Sequence, residues 1–177
     1  SFPVSRLYEY PTSVVSVVIN REFEGEPAVF IGKINSPETL SLREIDERID
    51  GYTTGPIEAF GSYRRMLRIS KLPQPVRRIL WWYSLCASGV VKNKMFGTFG
   101  VNSTAGVRFE VAQFLTPITT SLYYGLPDNA GRMKIQMAID HRVFDAMTAA
   151  KGCYELEKVL NTEMVAEILG EEMNSKS

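Results

Sequence analysis

With 177 residues, 45% of them hydrophobic and 23% charged, the chain has an ordinary globular composition and enough length for one sizeable core, so a single domain over 1–177 is expected. Lysine plus arginine and aspartate plus glutamate number 20 each, which excludes a global field that would recruit nucleic acid or a membrane surface. A lone histidine and no CxxC pair argue against a metal site, zinc above all.

In chain order, residues 1–12 mix aromatics with Pro3 and Pro11 and read as an extended lead-in. The β-branched run from Val14 to Ile19 and a second run at 28–31, joined across the polar stretch 22–27, predict two strands connected as a hairpin. Leu42, Ile45 and Ile49 follow Ser36, Pro37, Glu38 and Ser41 at helical spacing and predict an amphipathic helix ending near Gly51. A second helix is expected from Ile57 to Ile69, stopped by Pro73 and Pro75.

The third helical segment, 77–91, has a basic entrance and a nearly unbroken apolar body. It is too short to cross a bilayer, which needs about 20 such residues. The expectation is a core helix whose cationic stems lie along its rim. The alternative is a docking surface in which Arg64, Arg65, Arg68, Lys71, Arg77 and Arg78 stand beside Trp81 and Trp82.

After a polar turn at 92–94, residues 95–106 set small and hydroxyl side chains around an apolar strand. That pattern implies a backbone closely approached, either by a ligand or by a neighbouring strand. Neither phosphate-loop pattern is matched. Residues 115–124 read as a strand and 125–131 as a turn. Met133, Ile135, Met137 and Ile139 then alternate with Lys134, Gln136, Ala138 and Asp140, a half-buried strand that delivers His141 at its end. From Asp145 the apolar spacing becomes helical through Met147, Ala150, Cys153, Leu156 and Leu160, and a last amphipathic helix carries Val165, Ile168 and Leu169. Cys86 and Cys153, far apart in apolar helical patterns, read as reduced structural thiols, and with no signal peptide pattern a cytoplasmic location is expected.

His141 is the only histidine in the chain. An imidazole, with an ordinary pKa of roughly 6.5, exchanges a proton near neutral pH without a large environmental shift. His141 is therefore the first candidate for proton chemistry, with Asp145 four residues on to steady it or a neighbouring cation. The opposing reading is a satisfied histidine at a strand end.

The stretch Asp140-His141-Arg142-Val143-Phe144-Asp145-Ala146 resembles the DHRVxDG signature of the dihydrolipoyl acyltransferase cores of 2-oxo acid dehydrogenase complexes, a superfamily that includes chloramphenicol acetyltransferase. Upstream, Gly97-Thr98-Phe99-Gly100-Val101-Asn102 is similar to the family's GTFTIS strand, and the two motifs stand in the family's order. The similarity covers about Arg77 to Leu160 and extends more weakly back to Val14. The resemblance implies an α/β (α+β) fold, a chloramphenicol acetyltransferase-like two-layer sandwich of a mixed β-sheet with helices, here without the N-terminal part of the family domain.

It further implies acyl transfer between coenzyme A and a small-molecule or carrier-bound acceptor, in a homotrimer with the site between subunits, with no nucleic acid or membrane partner. His141 takes the family's general-base position. Asp145 takes that of the aspartate holding the site together through an arginine. The family's oxyanion donor, a serine, falls at Asn102, with Ser103 adjacent; neighbouring strand side chains face opposite ways, so only one of the two serves. Ala146 stands where the signature has glycine. No lipoyl-lysine motif is present, so no swinging arm is expected on this chain. The Asn102 and Ala146 departures motivate the alternative expectation, a non-catalytic descendant serving as an assembly or binding module.

Overall fold

Ten-residue strands β1 (Val14–Phe23) and β2 (Glu26–Asn35) form a hairpin paired without interruption from Val14↔Asn35 to Phe23↔Glu26. Glu24 and Gly25 join them, both at positive φ (54° and 83°), the two-residue mirror-image turn whose twist suits flanking strands. The turn is much tighter than the polar stretch 22–27 suggests. Ladder hydrogen bonds belong to the backbone, so Asn20, Arg21 and Glu22 pair as well as valines do. This computed structural model describes residues 8–86, 88–103 and 116–175. Most of the expected lead-in, Ala87 within the segment 77–91, the end of the small-residue stretch at 104–106 and the start of the strand expected at 115 lie outside the described residues.

β1 also pairs in parallel with β3 (Phe99–Ser103), from Val15↔Phe99 to Val17↔Val101, and β3 pairs in parallel with β4 (Thr120–Tyr124) along its whole length. With β5 (Ile135–Ile139) at the far edge, the order is β2-β1-β3-β4-β5. The chain is thus a mixed five-stranded sheet with helices, the α/β class expected.

Helix α1 (Leu42–Thr54) opens on a capping box, in which the Ser41 hydroxyl accepts from the Glu44 N–H at 3.3 Å and the Glu44 carboxylate accepts from the Ser41 N–H at 2.9 Å. It runs past the expected stop at Gly51. Arg21 donates to the carbonyls of Tyr52 (3.2 Å) and Gly55 (2.8 Å), placing a cation and a donor where the last turn leaves acceptors unfilled. A 3-10 turn at Ile57–Ala59 precedes α2 (Gly61–Ser70), so the helix expected from Ile57 is broken at Phe60, whose backbone is extended. Its ring packs 4.7 Å from Tyr52 and 5.4 Å from Tyr63. The core forms around Phe30, Ile57 and Tyr63, with Phe30 and Tyr63 4.5 Å apart at ring centroids. Tyr63 is fully buried, and that burial pushes its phenol up to about 12 against the opposing pull of Arg21.

The segment 77–91 is not one core helix. Helices α3 (Gln74–Cys86) and α4 (Gly89–Phe96) divide it, because the Ser88 hydroxyl accepts from the Val91 N–H at 3.2 Å and starts a new helix. The expected turn at 92–94 lies inside α4. Only Ser84 of α3 is buried, while Ile79 and Trp82 are 65% and 60% exposed. Cys86 and Cys153 are exposed as well, so neither thiol packs in a core.

The chain divides into two compact units, 1–138 and 139–177. The second contains α5 (Ala146–Asn161) and α6 (Glu163–Ser175), joined through Thr162. Among the described residues, no helix is long and apolar enough to cross a membrane.

Candidate functional site

In the unit 139–177, one residue organises the turn that follows β5. The Asp140 carbonyl accepts from the N–H groups of Val143 (2.9 Å) and Phe144 (3.1 Å). Its carboxylate accepts from the Arg142 N–H (3.1 Å) and from that guanidinium at Nε (2.9 Å) and Nη2 (2.6 Å). Arg142 is therefore committed to Asp140, in the bidentate geometry that a planar guanidinium favours.

This turn carries His141. Its side chain is exposed, and its Nδ1 lies 3.1 Å from the Phe144 carbonyl oxygen. A carbonyl oxygen only accepts, so the contact assigns the proton to Nδ1 and leaves Nε2 as the basic nitrogen of the neutral ring.

Asp145 is the N-cap of α5, its Oδ1 accepting from the Thr148 N–H at 2.6 Å. That bond is the main reason its carboxyl sits below the ordinary carboxylate range, and the charge of His141 is the weakest of the contributions. The cap is a site feature the sequence reading missed. Its signal was an aspartate immediately before the first residue of a helical apolar pattern. Ala146, next in line, has no need of glycine's freedom. It begins α5 with ordinary helical backbone, and the non-glycine residues at positive φ among the described ones are Glu24 and Ser36.

Asn102 and Ser103 lie in the other unit, at the end of β3, opposite Tyr123 and Tyr124 of β4. Strand alternation puts Asn102 on the face of Gly100 and Ser121, and exposed Ser103 on the face of Val101. The Asn102 Oδ1 is buried with no hydrogen-bond partner among the described residues. An orphaned buried acceptor costs about 1–3 kcal/mol. An amide turned over puts an NH₂ donor at the same place, because its oxygen and nitrogen are equivalent in shape.

The preceding glycines answer to protein packing. A Cβ at Gly97, which has φ +78°, would meet the Ser16 Oγ and the Val14 carbonyl at 2.7 Å; one at Gly100 would meet Ile118 and the Ser121 Oγ at 3.0 Å. Thus His141 and Asp145 fall within one turn of each other in the unit 139–177, and Asn102 and Ser103 are neighbours in the unit 1–138. Among the described residues, no group of three histidine, cysteine or acidic side chains could hold a metal ion.

No family model matches the chain, and no curated protein does. Among solved structures it is similar to Azotobacter vinelandii dihydrolipoamide acetyltransferase, studied for the role of a serine, a histidine and an asparagine in its catalytic mechanism, at 13% identity and a TM-score of 0.46, over 90% of this chain and 57% of that one. A probable dihydrolipoamide acetyltransferase from Listeria monocytogenes 4b F2365 matches at 18% identity and a TM-score of 0.40, over 82% of this chain and 54% of the other. The cubic core of the pyruvate dehydrogenase multienzyme complex matches at 11% identity and a TM-score of 0.46, over 90% of this chain and 57% of that one. The chain spans little more than half the length of these structures.

Proposed function

We propose that the chain is a coenzyme A-dependent acyltransferase domain in which the Nε2 of His141 is the general base. The observation that carries this reading is the contact between Nδ1 and the Phe144 carbonyl, which keeps the basic nitrogen at Nε2 in an exposed side chain. The paired signatures around Gly97 and His141 supply the reaction class. As the acceptor sulfur or oxygen bonds to the acyl carbon, its proton passes to Nε2 and the carbonyl electron pair moves to oxygen. Collapse breaks the carbon–sulfur bond to coenzyme A, and the imidazolium returns its proton to the departing thiolate.

Asn102 or Ser103 is the donor proposed for the oxyanion, a task worth on the order of a hundredfold in rate. The buried Oδ1 of Asn102, which has no partner among the described residues, supports the first of these. Asp145 supports the site by anchoring the start of α5 behind His141. The proposal extends to a single catalytic domain acting in the cytoplasm as a homotrimer with the site between copies. Apolar side chains left in solvent on α5 and α6 favour assembly, among them Met147 (66% exposed), Tyr154 (67%) and Leu169 (55%).

The test is acyl transfer from acetyl-coenzyme A to a thiol acceptor. His141→Ala is expected to lower kcat by about 10²–10⁴-fold without changing the melting temperature, since the side chain is exposed. Activity left intact would remove the assignment. Calorimetry with coenzyme A separates the alternative: a chain that binds none is a non-catalytic assembly module.

A further inference from the structure

The unit 1–138 contains a cavity of about 230 Å³ that the proposed chemistry does not use. It lies between β2 and the helices α2, α3 and α4, with Ile31, Leu80 and Phe96 in its apolar wall. Lys33, Arg65 and Arg77 line the same space. The ion pairs among the described residues involve none of these three cations. The Lys33 ammonium donates to the Lys94 carbonyl at 2.5 Å, and Arg65 reaches the same oxygen at 3.4 Å. Two cations therefore share one neutral acceptor. Burial first, and Arg65 second, lower the Lys33 amine to about 8. A carboxylate beside this amine would act against both by favouring its charged form.

We propose that this cavity binds a small amphipathic anion, an aliphatic chain ending in a carboxylate. The chain lies against Ile31, Leu80 and Phe96, and the carboxylate sits among Lys33, Arg65 and Arg77. Charge complementarity selects the head group, because three cations with no carboxylate partner among the described residues line one apolar space. Size selects a chain longer than a few carbons, because apolar cavities of roughly 150 Å³ already accept benzene. The inference is independent of the acyl-transfer reading, since it involves neither His141 nor Asn102.

Trp81 lines the cavity, and the chain has two tryptophans, so a Trp82→Phe background makes Trp81 the sole reporter. Decanoate and decan-1-ol are titrated below their aggregation limits while Trp81 fluorescence is followed. The expected result is saturable binding of decanoate, at least about tenfold tighter than decan-1-ol, as charge-assisted hydrogen bonds provide. Arg77→Gln and Lys33→Gln should each weaken decanoate about tenfold and leave decan-1-ol unchanged. Lys33→Gln also loses the bond to the Lys94 carbonyl; if it does not fold, Arg77→Gln alone decides the matter. No saturable binding, equal affinity for acid and alcohol, or unaltered decanoate affinity in Arg77→Gln would overturn the proposal.

Discussion

The two compact units owe their order to different forces. In 1–138 the order is long-range: Phe30 from a strand, Ile57 from a 3-10 turn and Tyr63 from a helix meet in one cluster, and Arg21 reaches across to close the end of α1. In 139–170 no residue is buried, and the turn holding His141 is built from bonds spanning two to four residues. The first unit positions groups by packing, so its geometry is lost when the core is lost. The second positions its histidine by local hydrogen bonding and leaves its apolar helix faces in solvent. Side chains in the first unit should therefore be sensitive in stability, and those in the second in activity.

The largest test of that contrast is Phe30→Ala. Emptying this position should cost about 3–5 kcal/mol, whereas Leu160→Ala, at a half-buried position of the largely exposed α5, should cost less than about 1 kcal/mol. Urea unfolding of the two variants compares them directly, and equal losses would end the distinction.

Gly97→Ala comes next. The positive φ and the 2.7 Å approach of Ser16 and Val14 predict a loss of roughly 1–3 kcal/mol, readable as a lower melting temperature.

Asp145→Ala removes the cap of α5 and should cost about 0.5–2 kcal/mol. Asp145→Asn keeps an acceptor for the Thr148 N–H and should recover most of that loss. Acyl-transfer rates that follow the cap across the two variants would mark Asp145 as a positioning residue; rates lost equally in both would show that its charge is what matters.

A further effect is in pH. Lys33 gives up its proton at about 8 in the folded chain, against an ordinary 10.5. Between those values the unfolded chain binds the additional proton, so stability should rise with pH across that interval, and the penalty should be fully present below it. Melting temperatures measured from pH 7 to 10 in the parent and in Lys33→Met check this, the variant being expected to lose the slope.

Much of the His141 turn was legible without coordinates, because it is assembled from neighbours in sequence. The alternating run to Ile139, the change of period at Asp145 and the two signatures each left a mark in the residue order. So did the hairpin, although its width was misjudged where the backbone ladder continues through polar residues. Part of what went unread depends on packing and on partners outside the local pattern. The passage of α1 beyond Gly51 requires Arg21, thirty-odd positions earlier. The break at Phe60 accompanies a ring packed on Tyr52 and Tyr63. The exposed character of α3 is invisible to periodicity, which registers apolar content and not whether another element arrives to cover it.

The cavity behind Lys33 makes the same distinction. Local pattern alone determined the two opening strands, the strand that ends before His141 and the helix that follows it, because propensity and alternation act over a few residues. The tertiary structure alone decided that Lys33, Arg65 and Arg77 share one apolar space, that Asn102 holds a buried acceptor without a partner among the described residues, and that Gly97 and Gly100 give way to neighbouring strands and side chains. Burial and charge proximity are properties of the folded surface, and residues more than thirty positions apart acquire them only when the chain closes on itself.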